Sequence, residues 1–273
     1  MNWDQLPSDK RKTKSLLSFQ ANAAWLRANI LSGSSHMLRG FAQMAFPPEC
    51  SVCGSPANHG TRICQTCLEK MVSIKPCCQR CGMPVPEVLP NEDCIRCRQQ
   101  SLRFGRVIAL GFYDGPLQQA VIKCKSRPYE CLRQALAEHL VAKLNNRLPD
   151  IQQHGPVLLP VPYHWSRAFT QAAPAAVSLA RSLSRLTGWP VANATVRRIR
   201  RTNKQGMLSL TERQENVRGA FKATDPKSLS GRHVLIVDDV LTSGATINEV
   251  ARQLSGCRTQ DISALVVARA TGW

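Results

Sequence analysis

Two sets of side chains in this sequence are typed and spaced for chemistry. The first is eight cysteines in four C-x-x-C pairs, Cys50/Cys53, Cys64/Cys67, Cys78/Cys81 and Cys94/Cys97, separated by 10, 10 and 12 residues. Thiolates two residues apart on a tight turn face one tetrahedral ion, and two such turns close a structural site, so four pairs suit two zinc ions. Gly54 and Gly82 follow second cysteines, where a backbone without Cβ lets amides tilt toward sulfur. Pairing in chain order would give a double ribbon; pairing first with third and second with fourth would give a cross-braced module. Spacing leaves both open. No thioredoxin-like pattern surrounds a pair, which argues against redox-active dithiols. Cys77 reads as a spare beside Cys78, and Cys124, Cys131 and Cys257 are expected as buried apolar cysteines.

The second set is Asp238 and Asp239, closing the run Val234–Val237, and the small residues Thr242, Ser243, Gly244, Ala245 and Thr246 that follow. Hydroxyls, a glycine and the start of a helix suit a phosphate. Two adjacent acids repel phosphate and suit sugar hydroxyls or Mg²⁺. A sugar phosphate satisfies both, with ribose on Asp238 and Asp239 and a 5′-phosphate on residues 242–246. An apolar strand ending in two acids also occurs in ATP-binding folds, but the chain has no G-x-x-x-x-G-K-[ST] to complete such a site.

These groups need elements to carry them. Val234–Val237 is continuously apolar and largely β-branched, as a strand buried on both faces of a parallel sheet is, and such sheets bind ligands at their carboxyl edge. Ile247, Val250, Ala251 and Leu254 continue as a helix over 247–255. Further strands are expected at 107–112, 157–160 and 262–268, and helices at 130–148, where leucine recurs every fourth residue, and at 174–187, stopped by Gly188. Strands alternating with helices predict an α/β fold with a parallel sheet. The chain divides into a basic extension (1–45), a cysteine-pair domain (46–100) and an α/β domain (101–273). The extension, with Lys10, Arg11, Lys12 and Lys14 ahead of loosely spaced apolar residues, reads as a tail or docked helix before a membrane-binding one.

A net charge of +18, from 36 Lys and Arg against 18 Asp and Glu, predicts attraction to polyanions. It concentrates in Arg197, Arg198, Arg200, Arg201 and Lys204, a run with no acid and no aromatic. That run suits a solvated surface, a pyrophosphate contact or DNA bound through its phosphates, single- or double-stranded, but not base stacking. No secretory signal is evident, no apolar run approaches the roughly 20 residues of a transmembrane helix, and the cysteine usage points to a reducing, cytoplasmic compartment.

The order of the pieces is more specific than any one of them. Cysteine pairs, a Lys-bearing turn at 123–127, Pro160-Val161-Pro162 leading to Arg167, Phe169 and Gln171, then KQGMLSLTERQENVRGAF with Gln205, Leu208, Arg213, Asn216 and Gly219, and finally LIVDDVLTSGAT, resemble the ComF/GntX family of ComFC-type competence proteins over residues 50–273. The resemblance implies a double zinc ribbon joined to a type I phosphoribosyltransferase domain. It also implies 5-phosphoribosyl-1-diphosphate (PRPP) with Mg²⁺ as ligand and a role in natural transformation or DNA uptake, with the uptake machinery as partner and the inner face of the cytoplasmic membrane as a possible place of action. It brings no assigned transferase reaction. Lys125, Arg167 and Arg213 become the pyrophosphate-side candidates. The family's R-G-F-N-Q stands here as Arg167-Ala168-Phe169-Thr170-Gln171, which weakens the expectation of pyrophosphate binding. The competing expectation is a non-enzymatic zinc-ribbon module that binds nucleic acid and keeps a vestigial PRPP site. A PRPP-sensing regulator is a third.

Overall fold

The computed structural model describes residues 48–58, 61–72, 75–86, 93–163, 174–202 and 209–271. The basic extension, Arg167 with its neighbours, Lys204, Gln205 and Leu208 lie outside the described residues. Four strands, β1 (Arg106–Phe112), β2 (Val157–Pro160), β5 (His233–Leu241) and β6 (Asp261–Arg269), form one sheet in the order β1-β6-β5-β2, every pair parallel. Two short strands, β3 (Val196–Arg198) and β4 (Phe221–Ala223), make a separate antiparallel pair. Val234 to Val237 and Ala264 to Val266 are fully buried because helices cover both faces of the sheet.

Helices α3 (Gly115–Cys124), α4 (Glu130–Arg147) and α5 (Ala175–Thr187) pack with Leu110, Leu235 and Leu265 in one core; α7 (Ala245–Gln253) packs with Ile236, Val234 and Phe221 in the other. Leu132, Leu136, Leu140 and Leu144 all face inward, as the four-residue spacing requires. Gly188 stops α5 in the left-handed region at φ 75°. Cys124 and Cys257 are buried as expected, but Cys131 is exposed. It precedes Leu132 by one residue, about 100° around the helix from the buried face, so it points outward.

Helix α7 starts two residues before the sequence predicts, and β5 runs four residues further. Asp238 pairs with Val266, Val240 with Ala268 and Leu241 with Arg269, so the two acids lie inside the strand. Pairing on the other side stops at Pro160↔Val237, with Val161 N reaching Val237 O at 2.9 Å. From Asp238 onward β5 is therefore laddered to β6 and open toward β2.

Two knuckles precede the sheet and repeat one design. Gly54 N donates to Cys50 O at 2.8 Å and Gly82 N to Cys78 O at 2.9 Å, both glycines at positive φ; the bridges Glu49↔Pro56 and Cys77↔Pro84 occupy matching places. Short helices α1 (Gln65–Met71) and α2 (Ile95–Gln99) start after Cys64 and Cys94. Val107 N, at the outer side of β1, donates to Gln79 O at 3.0 Å, and Leu158 of β2 bridges Val191. Among the described residues no helix is long and apolar enough to cross a membrane.

Candidate functional site

The cysteines settle into two clusters, Cys50/Cys53/Cys64/Cys67 and Cys78/Cys81/Cys94/Cys97, whose sulfurs lie within 4.8 Å of one another. Pairing is therefore in chain order. A tetrahedron with metal–sulfur bonds of about 2.3 Å has edges of about 3.8 Å. The pairs Cys53–Cys64 at 3.7 Å, Cys78–Cys97 at 3.8 Å and Cys81–Cys94 at 3.6 Å match it. Each cluster also holds a thiol prepared to ionise. Hydrogen bonds from the Ser55 side chain and backbone hold Cys53 at about 6. Burial raises Cys78, but the amides of Cys81, Cys94 and Arg80 outweigh it and bring the thiol to about 7. Both clusters fit a closed, structural zinc. Cys77 stands apart, its Sγ donating to Lys75 O at 3.1 Å.

The second candidate site is a cleft of about 180 Å³ at the open side of β5, lined by Asp238, Val240, Leu241, Thr242, Gly244, Thr246, Ile247 and Arg213. Gly244, at φ 84°, turns the chain from strand to helix and caps α7 without a side-chain acceptor, so the positive end of the helix dipole faces the cleft. Ser243 is buried and its Oγ accepts from Ala245 N at 3.3 Å. Arg213 comes from α6 (Leu210–Val217), which begins in a capping box between Ser209 and Glu212. Glu249, buried on α7, accepts from Gly219 N at 2.9 Å just after α6, and so fixes that segment against α7.

The two acids do not share one environment. Successive strand residues point to opposite faces, and Asp238 faces the cleft while Asp239 faces α3, its Oδ2 at 3.7 Å from Lys125 Nζ. Although the Asp238 residue is only half-buried, desolvation and then the Asp239 charge push its carboxyl well above the usual range. A carboxyl held so is stabilised by a ligand that brings hydroxyl donors or a cation. Sequence reasoning names Asp238, Thr242, Gly244, Thr246 and Arg213, which line this one cleft, and Lys125, which stands beside Asp239 instead. It overlooks Glu249 and the buried Arg269; a lone charge closing the apolar run of β6 is the signal for the latter.

Of the basic run, Arg197, Arg200 and Arg201 are exposed. Arg200 donates to Asn216 O and Arg218 O, both at 2.9 Å, and Arg198 lies 5.5 Å from the Phe221 ring centre, so both also serve the fold.

Residues 41–99 match the double zinc ribbon domain and residues 133–272 the phosphoribosyl transferase domain. DNA utilization protein YhgH of Escherichia coli (strain K12) is 31% identical over 217 residues, covering 77% of this chain and 92% of its own. Competence protein F of Haemophilus influenzae is 29% identical over 214 residues, covering 76% and 90%. Purine phosphoribosyltransferase from Pyrococcus horikoshii Ot3 shares 16% identity over 50% of this chain and 83% of its own at a TM-score of 0.30, too low to add to the assignment. With both domains matched in order and full-length relatives aligned through them, the chain belongs to the family of competence protein F and the DNA utilization proteins, a double zinc ribbon followed by a phosphoribosyltransferase domain.

Proposed function

We propose that this protein binds PRPP, with Mg²⁺, in the cleft at the open side of β5 and that this binding serves the handling of incoming DNA. One observation carries the reading: an acid, a buried arginine and a glycine-started helix with flanking hydroxyls converge in a single cleft of about 180 Å³. The 5′-phosphate sits on residues 242–246 at the start of α7, where dipole and hydroxyls favour it. Asp238 takes ribose hydroxyls, and Asp239 with Lys125 forms the rim nearer the pyrophosphate. Asp238 and Asp239 would hold Mg²⁺, which would supply positive charge to the diphosphate. Cleavage at C1 of ribose would additionally need cations on the leaving group and a closed, dry hood. The DNA part of the reading rests on the relatives' names and on the charge of +18.

Calorimetry with PRPP and Mg²⁺ tests the cleft directly. Asp238→Asn with Asp239→Asn is nearly isosteric, and each carboxylate gives up charge-assisted hydrogen bonds worth about 1.5 to 3 kcal/mol, so affinity should fall at least tenfold. Transformation frequency should fall with it. A folded double variant that has lost PRPP yet transforms normally favours the second reading, a nucleic-acid module acting through exposed Arg197 and Arg201. In that case DNA binding should weaken steeply with salt and drop on charge reversal at those two positions.

A further inference from the structure

Arg269 ends β6 and is 2% exposed. A guanidinium so deep is tolerated only when its donors are met, and main-chain carbonyls meet them. Nε donates to Cys81 O at 2.8 Å, while Nη1 donates to Leu241 O at 2.8 Å, to Ala270 O at 2.6 Å and to Thr242 O. Burial lowers the group to about 10, which leaves it charged at neutral pH. Cys81 belongs to the second sulfur cluster, and Leu241 and Thr242 open the loop that forms the phosphate cradle. One side chain therefore grips both.

A second, independent connection runs beside it. Asn248, in the first turn of α7, accepts from Arg103 N at 2.6 Å and donates to Ser101 O at 3.1 Å, in the segment leaving the second knuckle. The Phe104 ring, buried on the same segment, lies 3.9 Å from where a Cβ on Gly244 would stand. The first knuckle attaches elsewhere, through Lys123 Nζ on Ser51 O and Val52 O at 3.1 and 2.8 Å.

We propose that Arg269 is a positioning residue that links metal in the second cysteine cluster to the shape of the phosphate cradle. The cradle keeps its binding form while Cys78, Cys81, Cys94 and Cys97 hold their ion, and a ligand on the cradle retards loss of that ion but not of the first, because linkage between two sites is reciprocal. The ligand half rests on the sugar-phosphate reading; the coupling itself is a property of the chain.

Hydrogen exchange on the full chain without ligand separates the two. The second cluster is emptied in Cys94→Ser and the first in Cys53→Ser, each with a chelator and metal analysis. Peptides covering residues 241–248 should exchange about tenfold faster or more when the second ion is gone, within the usual range of site coupling, and at the wild-type rate when the first is gone. Arg269→Met with both ions retained should reproduce the loosening, and Arg269→Lys, a cation without the planar fork, should restore part of it. With ribose 5-phosphate present, wild-type protein should release its second zinc more slowly. Wild-type protection of the cradle in both Cys94→Ser and Arg269→Met overturns the proposal. If those variants unfold throughout, chelation of the wild-type chain decides. Cradle exposure in step with the second ion supports the coupling; exposure with the first ion, or before either, overturns it. Failure of ribose 5-phosphate to bind at all counts against the sugar-phosphate reading and leaves the exchange result standing.

Discussion

The two knuckles share a turn design and differ in how they are held to the sheet. The first is docked mainly by apolar packing, with the Lys123 contacts beside it: Val52, Ile63 and Met71 are 2%, 5% and 1% exposed and belong to the same core as Leu110, Leu117 and Leu136. Met71 O lies so close to Gly111 that a Cβ there would stand 1.9 Å from it. The second knuckle forms only a small apolar cluster of its own, around Cys78, Cys81 and Cys97 with Met83, Val85 and Leu102, and is held by polar grips from Arg269 and Val107 N. Repetition of a motif thus fixes the metal geometry without fixing what the metal supports. On the proposed coupling, an ion in the first knuckle would add to an apolar interface, whereas an ion in the second would keep in place the carbonyl that Arg269 grips.

Emptying one site at a time breaks this comparison most strongly. Structural zinc contributes on the order of 10 kcal/mol of folding energy, comparable with the whole stability of a domain. Cys94→Ser with chelator should therefore lower the melting temperature well beyond Cys53→Ser with chelator, since each apolar side chain still buried in the first knuckle retains about 1.5 to 3 kcal/mol. Equal losses would show that apolar docking does not compensate for metal. Next in size, Gly111→Ala forces a backbone carbonyl aside and should cost about 3 kcal/mol or more, measured by urea unfolding, with exchange rising in residues 61–72 and not in 75–86.

A substitution in the cleft should leave both knuckles alone and act in the opposite direction. Because the fold raises the Asp238 pKa above its unfolded value, the ligand-free protein loses stability as pH rises past about 4, where the unfolded chain ionises first. Asp238→Asn removes that cost. The melting temperature should rise by a few degrees at neutral pH, the gain should vanish below about pH 4, and two zinc ions per chain should be retained in both proteins. A melting temperature lowered at neutral pH would contradict the assigned burial. The smallest effect belongs to the Arg80–Asp93 pair on the second knuckle, each side chain 34% exposed. Asp93→Asn should cost about 0.5 kcal/mol at low salt and nothing measurable in molar salt.

Much of this is legible in the sequence because the chemistry imposes spacing. Four cysteine pairs require four turns, and VLIVDD followed by TSGAT requires a strand, a bend and a helix start. The limits are physical as well. Cysteine spacing satisfies two pairings equally, and only three-dimensional proximity selects chain order. The sequence pattern ends the strand too early because Val240 and Leu241 ladder to β6 on one side after pairing to β2 has ceased, and one-sided pairing has no sequence signature. Cys131 departs from expectation because the face that it takes is set by its helix and not by its residue type. The role of Arg269 has no sequence signature because its partners are carbonyls, which any sequence supplies.

The attachment of Gln79 O to Val107 N bears on what happens when the protein fails. Among the described residues, in the order β1-β6-β5-β2, the outer borders are β1 and β2, apolar strands whose outward amides would invite another chain to add on. The second knuckle blunts one border at Val107, and the segment around Val191 blunts the other at Leu158. A chain deprived of its second ion should expose the first of these borders before the rest of the sheet melts. Strand-to-strand aggregation is then the expected outcome, and precipitation under zinc limitation should precede any loss of helical signal.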